Sequence, residues 1–275
     1  MNKIKFAQEV CEIINQHGYI TTITENNCNN GSYVAITVKN TEDAKVAPVF
    51  NIGDETESPA VFAQHILNFV PASINTESLQ EVMTDKEELL KRTYYILVNR
   101  QLNEARTSLV RRPVNQTLEL QYKIDVTDIL DGGRISLEKK HLEKLGITET
   151  ELYSRAYSNT MEKFPYKLQS MGDILGCNLI EEIPQMYVLT NSIGVNGAGA
   201  ILYKGIKELL DEMVGEDAIV IPSSVHEMII IPTWLGDMNT ITGMIRDVNT
   251  SCVSPEDVLS DRPYELVEDG VLFEM

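Results

Sequence analysis

The stretch "IPSSVHEMIII", residues 221–231, places two hydroxyls, an imidazole and a carboxylate within five positions. Ser223, Ser224, His226 and Glu227 are the side-chain types that nucleophilic hydrolysis uses: a hydroxyl to attack, a base to take its proton, and a third group to orient the base. The spacing argues against a simple dyad. Adjacent side chains in a strand point to opposite faces, so His226 and Glu227 diverge once strand geometry begins at Val225. Ser224 and His226, two apart, can share a face. The local sequence Ile-Pro-Ser-Ser-Val is not a G-x-S-x-G nucleophile elbow. The competing reading is a turn between two buried strands, its serines satisfying backbone groups and its histidine closing the hairpin.

A second loop, "NSIGVNGAG", offers Asn191, Ser192, Asn196 and Gly197. Its glycines could let a backbone approach a phosphate. Neither the dinucleotide fingerprint nor the Walker pattern is present, and the following segment reads as a strand, so a hairpin loop is the simpler expectation. His17, His65, His141 and His226 are scattered, and Cys11, Cys28, Cys177 and Cys252 form no C-x-x-C pair. No metal site, no cofactor and four free thiols are therefore expected.

The elements that must position these residues can be read from periodicity. An N-terminal helix with Phe6, Val10, Ile13 and Ile14 on one face stops at Gly18. The runs "YITTIT" and "SYVAITV" form a hairpin, and "KVAPVFNI" is an edge strand because Pro48 cannot donate to a ladder. Ser58 caps a helix with Pro59 in its first turn. A long basic helix is predicted over 85–110, with Leu90, Tyr94, Leu97, Leu102, Ala105 and Leu109 as its apolar face and Pro113 as its end. A strand at 118–130 turns through "DGG" into "RISLE". Thr148 with Glu151 opens a helix as a capping box, and a further helix covers 166–175. Then "MYVLTNS" and "AGAILY" read as strands before the helix "GIKELLDEMVG". "AIVIPS" and "HEMIIIP" precede the helix "MNTITGMIRDVNT". "SPEDVLS" opens a short helix at Ser254 and Pro255, and "YELVEDGVLFEM" is a last hairpin turning at "EDG". The fold expected is α+β, mainly antiparallel sheet with helices on one face and ββα-type units in the C-terminal half. Two lobes are expected, 1–176 and 177–275.

Charge narrows the function classes. The chain carries 41 acidic and 23 basic side chains, a net of −18. From Glu181 to Met275 there are 17 acidic and four basic residues. Such a surface repels phosphate backbones, so direct nucleic-acid binding is disfavoured and a protein partner, a basic one in the sharper reading, is favoured. The basic residues over 86–112 spread around their predicted helix and form no stripe, which points to internal pairing or solvent. No apolar run is long enough to span a membrane and the start lacks an apolar signal core, so a cytoplasmic protein is expected.

Four stretches, "MYVLTNSIGVNGAGAILYKG", "IPSSVHEMIIIP", "VNTSCVSPEDVLSDRPYEL" and "ELYSRAYSNT", resemble a bacterial family of unknown function, the DUF5688 type. The similarity covers most of the chain, and the C-terminal third carries the more specific motifs. The resemblance implies a setting in anaerobic Gram-positive bacteria, often within mobile elements, and no mechanism. Three readings follow: a binding or regulatory accessory protein without enzymatic activity; a small-molecule hydrolase using the cluster at 223–227; and an acidic nucleic-acid mimic that blocks a basic protein.

Overall fold

The computed structural model describes all residues except 1–2, 45–46, 54–56, 71–75, 131, 177–185, 216–217 and 268–270. The chain forms two compact units, Met1–Gln80 and Glu81–Met275. The ladders among the described residues are antiparallel and the helices are interspersed with them, an α+β fold. No described helix is long and apolar enough to cross a membrane.

In the first unit, α1 (Lys3–Gln16) is followed by β1 (Ile20–Cys28), β2 (Gly31–Lys39), β3 (Val49–Ile52) and α2 (Pro59–Phe69). The strands pair in the order β1-β2-β3. The hairpin reaches further into the Asn-rich run than its composition suggests, pairing Cys28 with Gly31 around a two-residue turn in which Asn30 takes φ +58°. Phe6, Val10 and Ile14 of α1 pack with Ile36, Val38, Ile52 and Ile66. Pro48 accepts from the Val38 N–H just before β3, an edge strand as expected. Ser58 caps α2 by accepting from the Val61 N–H, with Pro59 at its start. The helix α3 (Thr76–Thr84) carries the chain into the second unit.

The second unit holds α4 (Lys86–Arg92), β4 (Thr93–Asn99), β5 (Arg111–Pro113), β6 (Leu118–Asp125), β7 (Arg134–Ser136), α5 (Lys139–Leu145) and α6 (Glu149–Lys163). Then come β8 (Tyr166–Ser170), α7 (Met171–Leu175), β9 (Tyr187–Asn191), a 3-10 helix (Gly197–Leu202) and α8 (Ile206–Val214). It ends with β10 (Ile219–Ser224), β11 (Glu227–Ile231), a 3-10 turn (Thr233–Leu235), α9 (Met238–Ser251), a 3-10 turn (Pro255–Asp257), β12 (Tyr264–Val267) and β13 (Val271–Glu274). One sheet is β4-β6-β5 with β7 also on β6; the other runs β13-β12-β10-β11-β9-β8. Tyr95 donates to the Gly199 carbonyl, Asn99 to the Leu259 carbonyl, and the Thr117 and Tyr264 hydroxyls share a hydrogen bond, tying the two sheets together.

Four expectations are corrected. The helix predicted over 85–110 ends at Arg92. The run Thr93–Asn99 is a strand with every residue buried, and Leu102 and Ala105 lie exposed in the loop beyond it. Leu90, Tyr94 and Leu97 fit a helical period, but Tyr95, Ile96 and Val98 between them are equally apolar, the mark of a strand covered on both faces. The predicted basic helix is accordingly dispersed. Lys86 pairs with Glu151, Arg92 with Glu88 and Asp128, and Arg111 with Glu119, while Arg112 lies over the Tyr153 ring. The helix predicted over 166–175 is β8 followed by one short helix, α7, which begins after Ser170 accepts from the Asp173 N–H and stops at Gly176 with φ +65°. The strand predicted at "AGAILY" is the 3-10 helix Gly197–Leu202; its small residues suit close approach, with Gly199 3.0 Å from the Tyr95 ring for a would-be Cβ. Of the two ββα units, only β10-β11-α9 has that form. The ladder of β8 with β9 pairs Tyr166 with Asn191 and Ser170 with Tyr187, residues on either side of 176. The final hairpin forms, its "EDG" turn lying outside the described residues. Cys11, Cys28 and Cys252 are free thiols, and Cys177 lies outside the described residues.

Candidate functional site

The hairpin of β10 and β11 divides the four candidate residues between two faces. Ile219 pairs with Ile231 and Ile221 with Ile229, and the register shifts near Ser223 before Ser224 pairs with Glu227. Alternation along each strand therefore sets Ser223 and Glu227 on the face carrying Ile221 and Ile229. There the Ser223 hydroxyl donates to Glu227 Oε1 at 3.1 Å. Ser224 closes β10 and His226 lies in the turn. Ser224 Oγ accepts from the His226 backbone N–H at 3.1 Å, the local bond that favours serine in turns. Val225, buried at the turn, donates to the Asp257 carbonyl and accepts from the Ala198 N–H.

The imidazole of His226 is committed on both sides. Its Nδ1 accepts from the Asn196 N–H at 3.0 Å, and its Nε2 lies 3.3 Å from Asp257 Oδ1. An acceptor at Nδ1 assigns the neutral ring's proton to Nε2, the nitrogen that faces the carboxylate. The hydroxyls of Ser223 and Ser224 bond Glu227 and a backbone amide, not this ring. The His226 carbonyl accepts from Thr190 Oγ1 at 2.7 Å.

Through His226 the second candidate loop becomes a neighbour of the first. Asn191 holds that loop closed, donating to the Val195 carbonyl and accepting from the Ile193 N–H. Ser192 is anchored by its N–H to the Pro165 carbonyl and its side chain is exposed. Asn196 takes φ +53°, a conformation asparagine tolerates better than most residues. Gly197 has no room for a side chain: a Cβ there would meet Thr190 Oγ1 at 2.2 Å and the His226 carbonyl at 2.6 Å. Asn191, Asn196, Gly197, His226 and Asp257 thus form one clasp around the end of the hairpin.

On the opposite side of the β10-β11 sheet lies a groove of about 290 Å³. Ile221, Ile229 and Ile231 line its sheet side; Ile241, Met244, Ile245 and Val248 of α9 line its helix side. Ser223 and Asn249 are its polar members, and Met186 and Leu235 close it. Asp237 caps α9 by accepting from the Asn239 and Thr240 N–H groups. Asn249 donates to the Ser260 carbonyl and to Asp261. Met244 is 62% exposed, Val248 46% and Trp234, beside Leu235, 73%. Sequence reasoning passed over this apolar set. Its signal was present as alternating isoleucines facing a helix with apolar residues at 241, 244, 245 and 248.

A second opening of about 580 Å³ lies among α4, α6 and the end of β6. Five of its seven lining charges are paired with one another: Arg92 reaches Glu88 and both oxygens of Asp128, and Lys163 pairs with Asp125. Burial, with Arg92 nearby, pushes the Lys163 amine below its usual range. Among the described residues no three His, Cys, Asp or Glu side chains gather as a metal-binding set.

No curated protein and no solved structure matches this chain. The sequence profile of a family of unknown function (DUF5688) matches residues 3–266, nearly the whole chain, and the protein belongs to that family.

Proposed function

We propose that the chain is a cytoplasmic binding protein without a catalytic role, and that it holds an apolar ligand surface in the groove between α9 and the β10-β11 hairpin. The observation that carries this reading is the groove itself. It is open, lined almost wholly by aliphatic and thioether side chains, and bordered by apolar residues left in solvent. Exposed apolar surface of this kind marks binding faces, and methionine adapts well to varied partners. The hydrolase reading gains nothing from His226, whose two nitrogens are already engaged. An accessory role in a mobile element rests on the family resemblance alone.

The test uses Nile red, a neutral apolar dye, with the full chain. Binding should brighten the dye and shift its emission to the blue. Met244→Glu, a change at an exposed position, should weaken binding about tenfold by setting a charge in the groove wall. Absence of dye binding, or binding that Met244→Glu leaves unchanged, overturns the reading.

A further inference from the structure

We infer that the occupant of this groove is a basic amphipathic helix presented by a protein partner; the inference rests on the groove being a binding site and names what fills it. Three observations lead there. The first is length. The groove runs along Ile241–Asn249 of α9, about 12 Å, room for about two turns of a second helix and its i to i+7 anchors. The second is the apolar surface beyond the cavity. Met244 and Val248 of its lining stand exposed, and Trp234, next to the lining Leu235, is exposed as well, more surface than a small ligand seated in the groove would cover. A helix covers such surface with the residues flanking its buried i, i+3/i+4 and i+7 anchors.

The third is charge. Residues 219–267 carry seven carboxylates against two arginines, Arg246 and Arg262. Arg262 is taken by Glu274 at 2.8 Å. The acids are also well placed. Glu227 sits at the end of the groove floor, bonded to Ser223. Asp261 bonds Asn249 of the lining, and Asp237 caps the near end of α9. An acidic rim around an apolar floor favours a helix with lysines or arginines flanking its apolar stripe, and repels an acidic one.

The chain supplies its own probe, because Trp234 is its single tryptophan and is exposed next to the lining Leu235. Three tryptophan-free synthetic peptides are titrated: an amphipathic helix of leucine and lysine, the same design in leucine and glutamate, and a scramble of the lysine peptide with no apolar face. The lysine helix should shift Trp234 emission to the blue and displace Nile red. The glutamate helix and the scramble should each bind at least about tenfold more weakly. The double variant Glu227→Gln, Asp261→Asn should lose several-fold affinity for the lysine helix while binding Nile red as before. If Nile red binds but the glutamate helix or the scramble does as well as the lysine helix, the inference fails and the binding-site reading stands. If the dye does not bind either, both fail.

Discussion

Replacing His226 separates a structural imidazole from a catalytic one without any substrate in hand. His226→Ala removes two contacts at once. The Asn196 N–H, part-buried in its left-handed conformation, loses its acceptor. A donor left unsatisfied in such a place costs about 1–3 kcal/mol. Asp257, one-third exposed, loses the Nε2 contact and turns to water, worth less than about 1 kcal/mol. The sum is about 2 kcal/mol, which lowers a urea midpoint by roughly half to one molar. His226→Asn is the informative partner. Its side-chain oxygen can stand where Nδ1 stood and accept the Asn196 N–H, so only the weaker Asp257 contact is lost. The ordering expected is wild type, then Asn slightly below, then Ala well below. It is read by far-UV circular dichroism in urea, with all three proteins at one fixed pH. Alanine and asparagine variants of equal stability, or an alanine variant as stable as wild type, would refute the clasp.

Three further perturbations test the frame that carries the groove. Gly197→Ala forces a methyl against Thr190 Oγ1 and two backbone atoms, so a loss of about 3 kcal/mol is expected; an unchanged melting temperature would contradict the packing described. Arg111→Met strands the buried Glu119 carboxylate, at a cost of about 3–5 kcal/mol, and adding Glu119→Gln should restore part of it; a double variant no better than the single one counts against the pairing. Lys123 is part-buried near Arg106 and Arg134, and that burial, with those charges, pushes its amine down to about 8 from 10.5. Below that value the folded state bears the cost of a buried charge. As pH rises from about 8 to 10.5 the folded state releases its proton first, so stability should climb by up to about 3 kcal/mol. Lys123→Met should lack that climb, and parallel urea midpoints for the two proteins between neutral and about pH 10.5 would dismiss the argument.

What could be read from the sequence was what a few neighbouring residues decide. Ser58 before Pro59 and Thr148 three residues before Glu151 mark helix starts because a cap is satisfied within its own turn, and both serve as caps. The strand Thr93–Asn99 escaped because its identity depends on elements distant in the chain, its β6 ladder 19 to 31 residues away and the packing of α6 and the 3-10 helix Gly197–Leu202 on it, and a helical period can be drawn through a run that is apolar throughout. The candidate residues follow the same division. Strand alternation reaches Glu227, the first residue of β11, but not His226, which lies in the turn before it. What His226 does is set by Asn196 and Asp257, neither adjacent in the chain. A reading built on residue types weights serine, histidine and glutamate, since these can react, and discounts isoleucine and methionine, since these only pack. Here the polar residues spend their hydrogen bonds on one another and on the backbone, and the aliphatic face they support is left open beside α9. Where the candidate polar residues are committed to one another, the side chains left uncovered are the ones that point to a partner, and in this unit those are apolar, with Glu227, Asp237 and Asp261 nearby.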